Sequence, residues 1–357
     1  MSVINFGSTV TLAQAAKLTL ACGSSIRALF VGEPGIGKSS MMGTFEKVLG
    51  DAYNYAYVDC SNLDLGDVAM PVVDHTTKTT RYYPNARFQL HGGKPVVIML
   101  DEFGKAPQPV QNMLHPMLES RNPRLGDVPL PEGSIVFLTS NMSSDGVGDN
   151  IKAHTLNRVT RVQVAKPSAE DWMHWAVDAG VHPVVLAWVR QFPHCMASYM
   201  DGDQDENPYI YNPKKFQTSY VSPRSLELAS RIVWQKDQFD SDTLIAALRG
   251  TIGDSGARDM EAFIAYQDEL PTRQTIISNP MGAPVPASAG ATIVLVFGLI
   301  ASTTKENIAP FMQYVRRLDA EWQAVFGINL ARSSKQGIAF QCKAFTDWAR
   351  DNQDLLG

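Results

Sequence analysis

Residues 32 to 39 read Gly32-Glu33-Pro34-Gly35-Ile36-Gly37-Lys38-Ser39, the G-x-x-x-x-G-K-[ST] pattern of a phosphate-binding loop. Its glycines let the backbone N–H groups close around anionic oxygens. Lys38 would reach the β- and γ-phosphates, and the Ser39 hydroxyl would sit on Mg²⁺. Further along, the apolar run Val96-Val97-Ile98-Met99-Leu100 ends in two carboxylates, Asp101 and Glu102. There Asp101 would hold the Mg²⁺ shell through water, and Glu102 would orient and polarise an attacking water. A third run ends in Thr139-Ser140-Asn141. The Asn141 amide could hydrogen-bond that water or the γ-phosphate, and so report whether the phosphate is present. The set points to a nucleoside triphosphate, touched by Glu33 through Ser40 (Glu33, Pro34, Gly35, Ile36, Gly37, Lys38, Ser39 and Ser40), with Ser39 and Asp101 on the metal.

Such chemistry needs elements that bring these residues together. Arg27 to Val31 reads as a short buried strand before the loop, and Ser40 to Leu49 has helical apolar spacing closed by Gly50. A strand, a glycine loop and a helix start aim the positive end of a helix dipole at bound phosphate. Further strands are expected at 54–58, 95–100, 134–139 and 160–164, with helices at 11–21 and 109–119. Alternation of strand and helix implies a parallel five-stranded sheet covered on both faces. A strand inside such a sheet opens its C-terminal end toward the crevice that holds the phosphate loop.

The pattern changes at Pro167. Ser168, with Asp171 three residues later, reads as a capping box, and helical periodicity follows. The stretch 201–220 is polar and reads as a surface loop. Helices resume at 225–235, 241–248 and 259–266, and the Pro- and Gly-rich run 279–290 connects to the last helices. The division expected is an α/β core over 1–166, a helical segment over 167–250 and a helical extension over 251–357.

Apolar residues make up 45% of the chain and charged residues 19%, an ordinary globular balance. A net charge of −5 argues against a broad nucleic-acid surface. Met1-Ser2-Val3-Ile4-Asn5 shows no basic segment leading into an apolar one, so a secretory leader is not expected. The longest apolar stretch, Ala291 to Ala301, is too short to span a bilayer and reads as a buried helix. Cys22, Cys60, Cys195 and Cys342 form no C-x-x-C pair and fit reduced thiols in the cytoplasm.

Two arginines extend the motif order: Leu156-Asn157-Arg158 before the fifth strand, and Ser222-Pro223-Arg224 opening a later helix. Together with the phosphate loop, Leu100-Asp101-Glu102, Lys105-Ala106-Pro107 with Val110-Gln111-Asn112, and Thr139-Ser140-Asn141, the sequence over roughly 8–250 resembles AAA+ ATPases of the MoxR-like group, a dynein-related AAA subgroup. The resemblance implies a P-loop NTPase AAA+ core followed by an all-helical lid, ATP and Mg²⁺ as ligands, and Asn141 as sensor 1. It implies that Arg158 is an arginine finger acting on a neighbour's nucleotide, with Arg161 a second candidate, and that Arg224 is the sensor 2 arginine. It further implies assembly into a ring, expected to be a hexamer. The work of such rings is chaperone-like maturation or remodelling of a client protein complex, often with a partner bearing a von Willebrand factor A domain.

Family members carry a β-hairpin facing the ring pore, and its counterpart here is 63–88, with the β-prone centre Thr76-Thr77-Lys78-Thr79-Thr80-Arg81-Tyr82-Tyr83. A further hairpin insert is expected at 125–132. This chain departs from the family in having Phe103-Gly104-Lys105-Ala106-Pro107 where Asn-Arg-Ala-Pro is common, in Val159 where Phe is common, and in its long tail. The alternatives are a nucleic-acid motor, for which Lys78, Arg81 and Arg87 offer little charge, a nucleotide-gated scaffold, which has no need of Glu102, and a metabolic kinase, which has no need of finger arginines.

Overall fold

A computed structural model describes residues 8–142, 151–267 and 270–355. The Met1–Asn5 stretch read above therefore lies outside the described residues. The chain divides into two compact units, Met1–Lys166 and Pro167–Gly357.

In the first unit, strands β1 (Ala28–Val31), β2 (Asn54–Asp59), β3 (Ala69–Asp74), β4 (Thr79–Pro84), β5 (Val96–Asp101), β6 (Arg124–Leu125), β7 (Val128–Pro129), β8 (Ile135–Ser140) and β9 (Thr160–Gln163) alternate with helices α1 (Leu12–Cys22), α2 (Met41–Leu49), α3 (Leu65–Val68), α4 (Gln108–Leu114) and α5 (Ala153–Leu156). Five strands form one sheet in the order β2-β5-β8-β1-β9, and every pairing in it is parallel. Side chains of successive strand residues point to opposite faces, so the apolar runs feed two cores. Phe30, Val97, Met99 and Phe137 pack with Ala15, Met41 and Phe45 on the α1–α2 side. Leu29, Ile98, Leu100 and Leu138 pack with Val110, Leu114 and Met117 on the α4 side. The sheet's β9 edge is extended by a bridge from Val10 to Val164.

The helix expected over 109–119 is shorter. It ends at Leu114 and tightens into a 3-10 turn over His115–Leu118. Pro116 has no N–H to give an α-helical bond, so the ladder cannot run on. The helix after the phosphate loop likewise opens with a 3-10 turn, Lys38–Ser40, where Ser40 N–H donates to the Gly37 carbonyl at 3.1 Å.

Outside the main sheet are two antiparallel hairpins, β3–β4 and β6–β7. They are hydrogen-bonded to each other. Asp127 N–H donates to the Tyr82 carbonyl (2.9 Å) and Tyr82 N–H donates to Asp127 Oδ2 (2.8 Å). Gly126 makes the approach possible: its φ is +56°, and a Cβ there would stand 2.4 Å from the Tyr82 oxygen. Both hairpins fall where the sequence placed its two inserts.

The second unit is helical: α6 (Ala169–Asp178), α7 (Pro183–Gln191), α8 (Pro223–Val233), α9 (Ser241–Gln267), α10 (Arg273–Ser278), α11 (Ala289–Ser302), α12 (Ile308–Val315), α13 (Ala320–Arg332), α14 (Gln336–Gln341) and α15 (Lys343–Asp351). The apolar α11 packs against α7, α9 and α13. One core runs from Trp172 on α6 to Ala349 on α15. Position 250 falls within α9, whose path breaks three residues later at Gly253 (φ 81°, ψ 168°), and the core continues across that break. Ser168 caps α6 by accepting from Asp171 N–H at 3.1 Å, and its hydroxyl donates to the Asp171 carboxylate at 2.7 Å. No helix among the described residues is long and apolar enough to cross a membrane.

Candidate functional site

Three neighbouring strands of the sheet end at one place. β1 runs into the phosphate loop, β5 into Asp101 and Glu102, and β8, which lies between them, into Asn141. The loop turns on Gly35 (φ 76°) and Gly37 (φ 102°), a backbone region open to glycine without strain. Ile36 is buried in the core with Met41 and Phe45 and anchors the loop from below. Gly32 N–H donates to the Ser140 carbonyl at 3.3 Å, tying the loop to β8.

Lys38 is 8% exposed. Its ammonium donates to the carbonyl oxygens of Gly32 (2.7 Å) and Glu33 (2.8 Å) and to Asn141 Oδ1 (3.1 Å). Every one of these acceptors carries partial negative charge, as a phosphate oxygen would. The Ser39 hydroxyl donates to Asp101 Oδ2 at 2.9 Å. Lys38, Ser39, Asp101 and Asn141 are thus brought together from three strands, although the chain separates them widely.

Two residues at this place were given no role by the sequence, Thr139 within its motif and Tyr57 outside any. Thr139 donates its hydroxyl to Asp101 Oδ1 and accepts from Glu102 N–H at 3.2 Å. Tyr57, on β2, donates its phenol to Asp101 Oδ2 at 2.7 Å. Strand residues pointing sideways into a neighbour's end have no motif of their own. Only the pairing of β2 and β8 with β5 brings their hydroxyls within reach.

Glu102 has a left-handed backbone (φ 51°, ψ 38°), which a non-glycine residue adopts at a cost. The turn it makes ends β5 and swings the carboxylate clear of the strand. Lys105, three residues on, pairs with Glu102 Oε2 at 2.7 Å. Close by, Ser61 and Asn62 donate to the Asp59 carboxylate. The Ser61 hydroxyl bond is the main reason Asp59 is held below the usual carboxylate range, with burial opposing it and Lys105 helping. Burial, then the charges of Asp101 and Asp59, push the Cys60 thiol far up, so it is no nucleophile.

Arg158 is not brought to this place within the chain. It precedes β9, and the register pairs Thr160 with Ala28, the first residue of β1. The phosphate loop leaves the other end of β1, roughly 13 Å of strand away at about 3.3 Å per residue. Arg158 is a third exposed, pairs with Glu119 (2.9 Å) and donates to the His154 carbonyl (2.8 Å). His115, beside it, is held below its ordinary value chiefly by burial and then by the Arg158 and His154 charges. Arg161 lies on β9 opposite Leu29. Arg224 belongs to the second unit, exposed in the first turn of α8 just after the Ser222 cap.

Residues 27–129 match the family model of the AAA domain, dynein-related subfamily. Over that segment the chain is similar to the AAA-type ATPase domain. The matched segment contains β1, the phosphate loop, both hairpins of the insert regions and the β5 carboxylates. No curated protein matches the sequence. Among solved structures, a candidate ATPase from Cytophaga hutchinsonii is similar at 13% identity, with 71% of this chain and 88% of that chain covered and a TM-score of 0.35. NtrX from Brucella abortus in complex with ADP is 14% identical over 94% of this chain and 67% of that one (TM-score 0.38). The same protein with ATP is 12% identical over 98% and 69% (TM-score 0.36). These likenesses are too distant to carry roles from residue to residue. The AAA-like segment, 27–129, holds the phosphate loop and the β5 carboxylates of a nucleotide-binding domain.

Proposed function

We propose that this ATPase works as a ring, a hexamer of the MoxR-like kind, in the cytoplasm, binding ATP between adjacent copies and using its hydrolysis to remodel or mature a client protein complex. The observation that carries the ring is the place of Arg158. It lies beyond the end of the sheet opposite its own phosphate loop, so a guanidinium acting on a γ-phosphate from there must act on a neighbour's.

Within one copy, residues 33–40 cradle the phosphates and Lys38 exchanges its loop carbonyls for β- and γ-phosphate oxygens. Asn141, already bonded to Lys38, reads the γ-phosphate. Ser39 and Asp101 present only hard oxygen atoms, 2.9 Å apart, which suits Mg²⁺. Mg²⁺ bound there would neutralise charge building on the phosphates. Glu102 orients and deprotonates the attacking water once its carboxylate turns from Lys105. Arg224 fits the sensor 2 role on electrostatic grounds: a cation in a helix's first turn opposes the dipole, by about 0.3–1 kcal/mol, unless an anion comes to it.

The client is taken up on the β3–β4 hairpin. Met70, Val72, Val73, Tyr82 and Tyr83 are each about half exposed, and neither tyrosine ring pairs with another aromatic ring among the described residues. A partner bearing a von Willebrand factor A domain belongs to the same reading.

Steady-state hydrolysis against protein concentration, with mass photometry, tests it. Specific activity should rise as rings form. Glu102→Gln should bind ATP and assemble without turnover, and Arg158→Ala should assemble yet lose most turnover. Turnover per subunit that is flat with concentration, with Arg158→Ala fully active, would sink the shared site.

A further inference from the structure

Among the described residues, three hydroxyls donate to Asp101. Thr139 donates to Oδ1, while Ser39 (2.9 Å) and Tyr57 (2.7 Å) both donate to Oδ2. An ionised carboxylate offers about four lone-pair sites. Three are taken, both on Oδ2 and one on Oδ1. Thr139 is needed where it is, since it also receives Glu102 N–H and so joins the two carboxylate residues. Ser39 belongs to the phosphate loop itself. Tyr57 is different: it comes from β2, beyond β5 from the loop, and its side chain is 53% exposed. Its ring contributes little to the core, so its hydroxyl is the part of the residue that bears on the site.

We propose that Tyr57 is a positioning residue that restrains metal binding, its phenol occupying an Asp101 acceptor site that would otherwise take a water of the metal's shell. With Tyr57 bonded, the described residues leave Asp101 one acceptor site for such a water. Without it there are two. A carboxylate bound by neutral donors on every other site also holds less free charge for a cation. Mg²⁺ keeps several of its waters in protein sites, so the number of acceptors facing those waters matters to its affinity. This inference rests on the proposed reading of Ser39 and Asp101 as the metal-holding pair.

Tyr57→Phe removes the hydroxyl and keeps the half-exposed ring, and Asp101→Asn is the companion variant. Mn²⁺ is the probe, its uptake by the ADP complex of the full chain followed by electron paramagnetic resonance. Calorimetry of ADP binding in EDTA supplies the metal-free affinity, and thermal melts confirm the fold. Tyr57→Phe should bind Mn²⁺ about three- to tenfold more tightly, the scale of one hydrogen bond, with the metal-free ADP affinity within twofold of wild type. A merely structural role would leave the metal affinity alone. Unchanged or weaker Mn²⁺ binding by Tyr57→Phe, alongside weakened binding by Asp101→Asn, overturns the role of Tyr57 and leaves the metal-holding pair standing. Should Asp101→Asn bind Mn²⁺ as well as wild type, the metal-holding pair itself falls, and the inference with it.

Discussion

Lys38 Nζ donates to Asn141 Oδ1 across 3.1 Å, joining residues 103 positions apart in the chain. The contact exists because β8 lies between β1 and β5, so its end opens onto the phosphate loop. On the proposed reading, an amide so placed touches the ammonium that would grip the γ-phosphate and could sense it.

Asn141→Ala leaves Lys38 its two carbonyl partners, so nucleotide affinity should stay within about threefold. The lost hydrogen bond to the water or γ-phosphate should lower turnover by about 10²-fold, the scale of one donor removed from a developing charge. Fluorescent-nucleotide titration and steady-state hydrolysis measure the two quantities separately. An unchanged turnover number would remove Asn141 from the site.

His182 links stability to pH. The residue is buried, its ring packs on Trp234 and its Nδ1 accepts from Val184 N–H at 3.2 Å, capping α7. Burial, and then the Lys236 charge, lowers its pKa to about 4. The unfolded chain, with an ordinary histidine near 6.5, binds more protons in the window between. Its stabilising contribution is therefore full above about pH 6.5 and is lost as pH falls toward 4. The loss amounts to roughly 3 kcal/mol for a shift of that size. His182→Asn keeps a capping side-chain oxygen and removes the titration. Melting temperature against pH should fall less steeply for the variant over that window, and parallel curves would refute the assignment.

Gly126→Ala tests the tie between the hairpins. The new methyl meets the Tyr82 carbonyl at 2.4 Å, and a left-handed alanine adds about 1–2 kcal/mol. The amides of Tyr82 and Asp127 should exchange hydrogen faster, and β3–β4 should become more open to proteolysis. The main sheet makes no use of this contact, so the melting temperature should shift by only a few degrees. A large global loss of stability would show the hairpins to be part of the core.

Gly327→Ala acts on the second unit instead. A Cβ there would lie 2.0 Å from the Trp348 ring, and Trp348 is buried. Overpacking of this kind costs typically 1–3 kcal/mol, so the melting temperature should drop by several degrees. Trp348→Phe in the same chain should return part of the loss by shortening the ring. If the double variant melts below Gly327→Ala, α13 and α15 adapt in some other way.

Much of the site was legible because its motifs are local. Gly35 and Gly37 are needed where the loop turns left-handed, and five apolar residues in a row, Val96 to Leu100, name a strand buried on both faces. Asn141 is less obvious, since an amide after a strand is equally a turn former, and only strand order separates the two readings. Thr139 stood in a motif without a role, and Tyr57 stood in none. Both reach Asp101 sideways, through neighbours in the sheet, and a threonine or tyrosine in a strand looks like any β-prone residue.

The linear order of residues determined the ligand class and the alternating α/β core, because phosphate cradling and burial on two faces each impose a pattern along the chain. The helical second half was equally set by apolar periodicity. Tertiary structure decided the rest. Parallel pairing placed β8 between β1 and β5, hence Asn141 against Lys38, and it carried Arg158 to the far end of the sheet from its own phosphate loop. It also tied β3–β4 to β6–β7 through Gly126 and Asp127. Each of these depends on which strands lie side by side, and hydrogen-bond partners between strands leave no periodicity in the sequence to be read.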